Sequence, residues 1–188
     1  MSLKVAVITG STRPSSVGST VTDWYASQAK SVEGVEIDVI SLKDENLPFL
    51  DEPAPPAMKQ YTKDHTNAWS EKISQYDAYV WITAEYNHSI PAALKNAIDF
   101  LFHERANKPV AMVSYGSIGG VRAAEHLRQV AGELQMADIR EAIMIREPWA
   151  MTDETGEIKE ELIFGDVKTQ LEQLKWWGQA LKIARESS

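Results

Sequence analysis

Short β-branched runs alternate with helix-spaced apolar segments along this chain, and that alternation constrains its fold more than any other feature. Leu3–Thr9 (L-K-V-A-V-I-T) is an apolar run closed by Gly10 and reads as a buried strand. Between residues 17 and 32 the apolar positions are Val17, Val21, Trp24, Tyr25, Ala29 and Val32, which is helical spacing. Residues 35–40 read as a second strand, 65–75 as a helix and Ala78–Ala84 as a third strand. The next helix is predicted over residues 90–104, with Ile90, Ala93, Leu94, Ala97, Ile98, Leu101 and Phe102 on its apolar side. Ser89 is its expected N-cap, and Pro91 falls in its first turn. Residues 110–114 give a fourth strand, 120–134 a helix, and a fifth strand lies within 137–145. The last helix covers about 166–185, with Val167, Leu171, Leu174 and Leu181 inward, and Trp176 and Trp177 are expected to pack it. The acidic, proline-rich stretch 44–56 reads as a solvated loop, and 146–165 as irregular.

Five strands alternating with five helices predict an α/β fold with a parallel sheet covered on both faces. The commonest such solution is a flavodoxin-like three-layer sandwich with a five-stranded sheet of order 2-1-3-4-5. A length of 188 residues suits one domain spanning 1–188. Ligands of such sheets lie beyond the carboxyl ends of the strands, near the switch point between strands 1 and 3. The loops to search are therefore those after strands 1, 3 and 4.

Composition narrows the chemistry those loops can perform. With 19 Lys+Arg against 27 Asp+Glu, the net charge is −8 and no basic stripe is available for nucleic acid. The absence of cysteine excludes disulfides, thiolate metal sites, iron–sulfur clusters and a cysteine nucleophile. His65, His88, His103 and His126 show no metal-ligand spacing. No apolar stretch reaches the length of a membrane span, and the N-terminus lacks the pattern of a signal peptide, so a cytoplasmic protein is expected.

The loop after strand 1 reads G-S-T-R-P-S-S-V-G, from Gly10 to Gly18, and runs into a helix N-terminus. Free backbone N–H groups and the positive end of the helix dipole favour an anion there. Ser11, Ser15 and Ser16 add hydroxyls, and Arg13 adds the one full positive charge. The loop matches neither a dinucleotide fingerprint nor a Walker A loop, which points to a monophosphate, with an ordinary Ser-rich turn as the plainer reading. After strand 3, Glu85 and Asn87 flank Tyr86, a trio able to stack a flat ring and bond its polar edge, or else to pack and turn. After strand 4, S-Y-G-S-I-G-G-V-R brings Gly116, Gly119 and Gly120, which allow close backbone approach, or simply a turn before a helix.

Together these loops resemble the NADPH-dependent FMN reductase family of flavodoxin-like quinone, chromate and azo reductases. The most specific part is E-Y-N-H-S-I-P-A-A-L-K-N-A-I-D-F over residues 85–100, similar to the family's P-E-Y-N-x-S-x-P-x-x-L-K-N-A-I-D block. The chain departs from the family pattern at Ala84, where the family has proline, and at Gly18, where many relatives have asparagine. The resemblance implies FMN as cofactor, its phosphate held by Ser11, Arg13, Ser16, Val17 and Gly18. It implies that Glu85, Tyr86 and Asn87 read the isoalloxazine, while Ser117, Gly119 and Gly120 close the other side of the ring. NADPH or NADH would deliver hydride through the flavin to a small-molecule acceptor such as a quinone, with no catalytic side chain required. The alternative is a flavodoxin-type FMN electron carrier without nicotinamide turnover.

One further expectation concerns assembly. At about 100° per residue, the apolar positions of a 90–104 helix, with Phe100 and Phe102 at opposite edges, span roughly 200°, about twice the stripe one sheet face needs. The surplus predicts a homodimer or homotetramer built on this helix, unless segments of the same chain cover it.

Overall fold

A computed structural model describes residues 2–155 and 158–187. Its elements run β1 (Leu3–Thr9), α1 (Gly18–Ala29), β2 (Val35–Ser41), the single-turn α2 (Leu42–Glu45), α3 (Asp64–Ser74), β3 (Ala78–Ala84), α4 (Ala92–Asp99), β4 (Pro109–Gly116), α5 (Val121–Glu133), β5 (Ala137–Asp138), β6 (Ile143–Arg146), β7 (Ile163–Phe164) and α6 (Val167–Glu186). The sheet order is β2-β1-β3-β4-β6-β7, with β5 also paired to β4. Every pairing is parallel except β6 with β7. The predicted architecture is therefore present. The chain crosses over β1 between β2 and β3, and that reversal is the switch point.

Alternation along the buried strands divides the core between two layers. Val5, Val7, Val80, Ile82, Ala111 and Val113 face α1 and α6, where they meet Val21, Tyr25, Leu171 and Leu174. Ala6, Ile8, Tyr79, Trp81, Val110 and Met112 face the opposite layer, with Trp69, Leu94, Ile98 and Leu127. This two-sided burial explains why β1, β3 and β4 read as continuous apolar runs rather than alternating ones.

Three departures from the sequence reading have identifiable physical causes. The fifth strand is broken into β5 and β6, and β7 adds an antiparallel edge, so among the described residues the sheet has seven strands instead of five. At the break, the buried amide of Gln170 on α6 donates to the carbonyls of Met112 (3.0 Å) and Glu141 (2.9 Å), while its oxygen accepts from the Tyr25 hydroxyl (2.9 Å). A side chain thus supplies partners that a continuous ladder would have provided.

The second departure is that α4 stops at Asp99 rather than 104. The buried Arg105 guanidinium folds back and donates to the carbonyls of Ala97, Ile98 and Leu101, and the Trp69 indole also bonds Ala97. These contacts satisfy the helix C-terminus and end it. Phe100 is consequently outside the helix, fully buried, with its ring edge-to-face against His65 at 5.7 Å. The apolar surplus of an ideal 90–104 helix is thereby largely covered within the chain, and the wheel argument for an oligomer loses its premise.

The third departure is at the start of α4, where Pro91 occupies the N-cap position and no side chain caps the helix. Ser89 instead bonds the His126 ring at 2.9 Å. At the other end of the chain, Trp176 and Trp177 lie exposed, edge-to-face with each other, rather than packing α6 against the sheet. The acidic loop after α2 is not free either, because Asn96 donates to Pro48 and accepts from the Leu50 N–H. A cleft of about 580 Å³ remains between that loop and α4, touched at one end by Thr12.

Candidate functional site

The carboxyl ends of β1, β3 and β4 converge as the switch-point rule requires, and side-chain bonds join their loops. Ser11 and Tyr86 share a hydroxyl–hydroxyl hydrogen bond of 2.8 Å, tying the first loop to the second. Ser16 and Tyr115 share another of 3.0 Å, tying the first loop to the end of β4. The Ser16 hydroxyl also accepts the Gly18 N–H at 3.0 Å and fixes the entrance to α1. The N-cap residue of that helix, Val17, makes no side-chain bond and the first turn has no acidic residue, so apart from the neutral Ser16 hydroxyl the positive end of the helix is uncompensated.

Within this loop Arg13 is exposed, and among the described residues its guanidinium forms no ion pair. Thr12, Arg13, Pro14 and Ser15 stand on the surface, whereas Ser11 is buried and Ser16 half-buried. Gly18 has no room for a side chain: a Cβ there would lie 2.8 Å from the Tyr115 hydroxyl and 3.1 Å from the Ser16 hydroxyl. The Tyr115 hydroxyl fills the space beside Gly18. Burial raises the pKa of this tyrosine, only partly offset by the bond from Ser16, so it is a neutral hydroxyl that can donate or accept.

After β3 the chain makes a tight reversal. Tyr86 and Ser89 exchange both backbone hydrogen bonds (2.9 and 3.0 Å), and Asn87 and His88 between them have φ of +50° and +66°. This is type I′ geometry carried by two non-glycine residues, a strained arrangement of the kind held at functional sites. Tyr86 is 37% exposed, and Asn87 and His88 are exposed beside it.

Glu85 takes a part that the sequence did not disclose. Its carboxylate accepts the Arg122 backbone N–H at 3.0 Å and the Arg122 guanidinium at 2.7 Å, capping α5 from a different loop. Burial pushes its pKa up, but the Arg122 contacts and the Ala123 N–H outweigh that and hold it below the ordinary carboxylate value. Glu85 therefore clamps the second loop to the third. Arg122 and Tyr115 sit inside the glycine-rich stretch, but local sequence carries no signal of their distant partners.

The third loop turns through Gly119 and Gly120, whose φ angles are +89° and +71°. Gly119 donates to the Gly116 carbonyl at 3.0 Å, and its own carbonyl accepts the buried Ser114 hydroxyl at 2.7 Å. Ser117 is exposed at the tip. The structure thus gathers Ser11, Arg13, Ser16, Val17, Gly18, Glu85, Tyr86, Asn87, Ser117, Gly119 and Gly120 at one edge of the sheet. An uncapped helix start, an unpaired guanidinium and hydroxyl donors suit a phosphate dianion. A half-exposed tyrosine and a side-chain-free loop suit the faces of a flat ring. The donor set fits a phosphorylated flavin.

A doubly wound sheet with polar loops gathered at its switch point defines a flavodoxin-like domain. The sequence pattern of one family, NADPH-dependent FMN reductase, matches residues 3–150, and the chain belongs to that family. It is 42% identical over 132 residues to an NAD(P)H-dependent FMN reductase of Nectria sp, covering 67% of this chain and 66% of that protein. It is 41% identical over 135 residues to an NAD(P)H-dependent FMN reductase of Schizosaccharomyces pombe, covering 71% and 68%. These alignments span only about two thirds of the fungal proteins' lengths. Among solved structures, the flavoenzyme NAD(P)H:(acceptor) oxidoreductase FerB of Paracoccus denitrificans shares the fold, with a TM-score of 0.67 at 22% identity over 95% of this chain and 94% of that one.

Proposed function

We propose that the protein is an NAD(P)H-dependent FMN reductase, passing a hydride from NADPH or NADH through bound FMN to a quinone, free flavin or similar small acceptor. The observation that carries this reading is the meeting of an unpaired Arg13 and an uncapped α1 with Tyr86 and the glycine loop, at the switch point of a chain of this family. FMN, when bound, supplies the hydride-accepting and hydride-donating chemistry itself.

The chain's residues bind and orient. Ser11, Arg13, Ser16, Val17 and Gly18 hold the phosphate. The Ser11 hydroxyl, bonded to Tyr86 at 2.8 Å, would sit where it could donate to the phosphate, and the half-exposed Tyr86 ring would line the flavin. Asn87 bonds the polar edge, Glu85 keeps this wall in register through its clamp on Arg122, and Ser117, Gly119 and Gly120 close the opposite side. With these roles the domain spans residues 1–188.

The proposal includes a homodimer or homotetramer working in the cytoplasm. Exposed Phe49 and Met58 support such an assembly. A sedimentation mass remaining near 21.0 kDa at micromolar protein would count against it.

The deciding experiment is steady-state NADPH and NADH oxidation with a quinone acceptor, on protein whose released flavin has been identified. FMN release with turnover and parallel double-reciprocal lines is expected. FMN release without turnover would favour the electron-carrier alternative, and absence of flavin binding would overturn both.

A further inference from the structure

A fourth loop reaches the same edge of the sheet. β6 ends at Arg146, which is in register with Gly116, the residue that opens the ring-closing loop. The next residue, Glu147, has φ of +48° and donates its N–H to the Gly116 carbonyl at 3.1 Å, so the two loops are stitched together. Arg146's aliphatic stem lies against Gly119: a Cβ built there would sit 3.8 Å from Arg146 Cγ. Its head group is exposed and, among the described residues, forms neither a hydrogen bond nor an ion pair. Three residues on, Trp149 is 72% exposed.

We infer that Arg146 binds a phosphate of the nicotinamide dinucleotide, and that Trp149 offers its ring to the adenine. The inference rests on the FMN reductase reading above. A chain of net charge −8 repels a polyanionic reductant, so a cation beside the ring is needed to hold it. Arg13 is assigned to the flavin phosphate, and Arg122 is held by Glu85. Lys43 follows β2 and lines the cleft shared by Thr12 and α4, three strands from the end of β4, which Arg146 adjoins. Among the described residues, Arg146 is the unpaired cation beside the ring-closing loop, and a guanidinium matches a phosphate with two parallel bonds.

The test compares wild type with Arg146→Ala, Arg146→Lys and Trp149→Ala. Lys30→Ala, which removes the same charge from the opposite edge of the sheet, serves as control. Two readouts are used: KM and kcat with NADPH and with NADH, and the dissociation constants of NADP+ and NAD+ by calorimetry. Charge-assisted bonds of the usual strength predict that Arg146→Ala raises KM and the dissociation constant roughly tenfold or more. The rise should leave kcat within about twofold, with partial rescue in Arg146→Lys and no change in Lys30→Ala. An effect confined to the 2′-phosphorylated forms identifies that phosphate as the partner, and an equal effect on all four identifies the pyrophosphate. Unchanged constants in Arg146→Ala, with FMN bound and wild type turning over, would overturn the inference alone. Lack of turnover in wild type would instead overturn the reading beneath it.

Discussion

Gly120 and Gly132 lie on the same stretch of chain but should respond to alanine in opposite directions. Gly120 precedes α5 with φ of +71°, and a Cβ there would lie 2.7 Å from the Tyr115 backbone nitrogen and 2.9 Å from its carbonyl oxygen. The left-handed conformation alone costs alanine about 1–2 kcal/mol. Relieving overlap against backbone atoms, which cannot rotate away, adds about 1–3 kcal/mol. The expected loss is therefore about 2–5 kcal/mol, or roughly 4–20 °C in Tm for a chain of this size. Gly132, inside α5, has nothing within 4 Å of its added Cβ. Alanine there should stabilise by about 0.4–1 kcal/mol, through higher helix propensity and a less flexible unfolded chain. Thermal unfolding of both variants by circular dichroism tests the pair. A Gly120→Ala protein melting within 1–2 °C of wild type, on the order of a few tenths of a kcal/mol, would refute the backbone geometry assigned to the ring-closing loop.

Three other outcomes are expected. Arg13→Ala should weaken FMN by roughly 10- to 150-fold in a flavin-fluorescence titration, the range given by one or two lost charge-assisted bonds; unchanged affinity would remove Arg13 from the phosphate site. Because the Glu85 pKa is lowered in the folded state, its clamp contributes stability above the ordinary carboxylate value of 4.5 and loses it as pH falls through the lower folded value. Glu85→Gln should accordingly show a shallower acid decline in Tm than wild type, with a loss at neutral pH of about 0.5–1 kcal/mol given the half-exposed Arg122. Gln170→Leu strands the Tyr25 hydroxyl and the Met112 and Glu141 carbonyls, and should cost at least about 3 kcal/mol in a urea titration, whereas Tyr25→Phe should cost about 1 kcal/mol.

What could be read from the sequence was what local pattern determines. β1, β3 and β4 are buried on both faces, so their apolar runs stand out, and the switch-point rule then names the loops without further information. What could not be read depends on partners far along the chain. The break between β5 and β6 is sealed by Gln170, and the end of α4 is set by Arg105 folding back past an otherwise helical apolar spacing. The same holds within the site. Glu85 in its motif looks like a ring-reading acid, yet its carboxylate is committed to Arg122, 37 positions on. Tyr115 fills the space beside Gly18 from 99 positions beyond its partner Ser16. A motif names the residues that meet, while the division of labour among them is settled only when the loops touch.

The seal made by Gln170 also orders events during synthesis. β1 leaves the ribosome long before α6, but its inward residues Leu3, Val5 and Val7 share their core with Val167, Leu171 and Leu174 of that helix. Gly178 of that helix comes so close that a Cβ would lie 2.6 Å from the Leu3 side chain. A nascent chain that has released only residues 3–150, the segment matched by the family pattern, still lacks one wall of its interior. It also carries an open polar gap at the sheet edge. Such an intermediate exposes apolar surface and unpaired strand to its neighbours. The segment matched by the family pattern is therefore shorter than the unit able to close, and closure waits for α6.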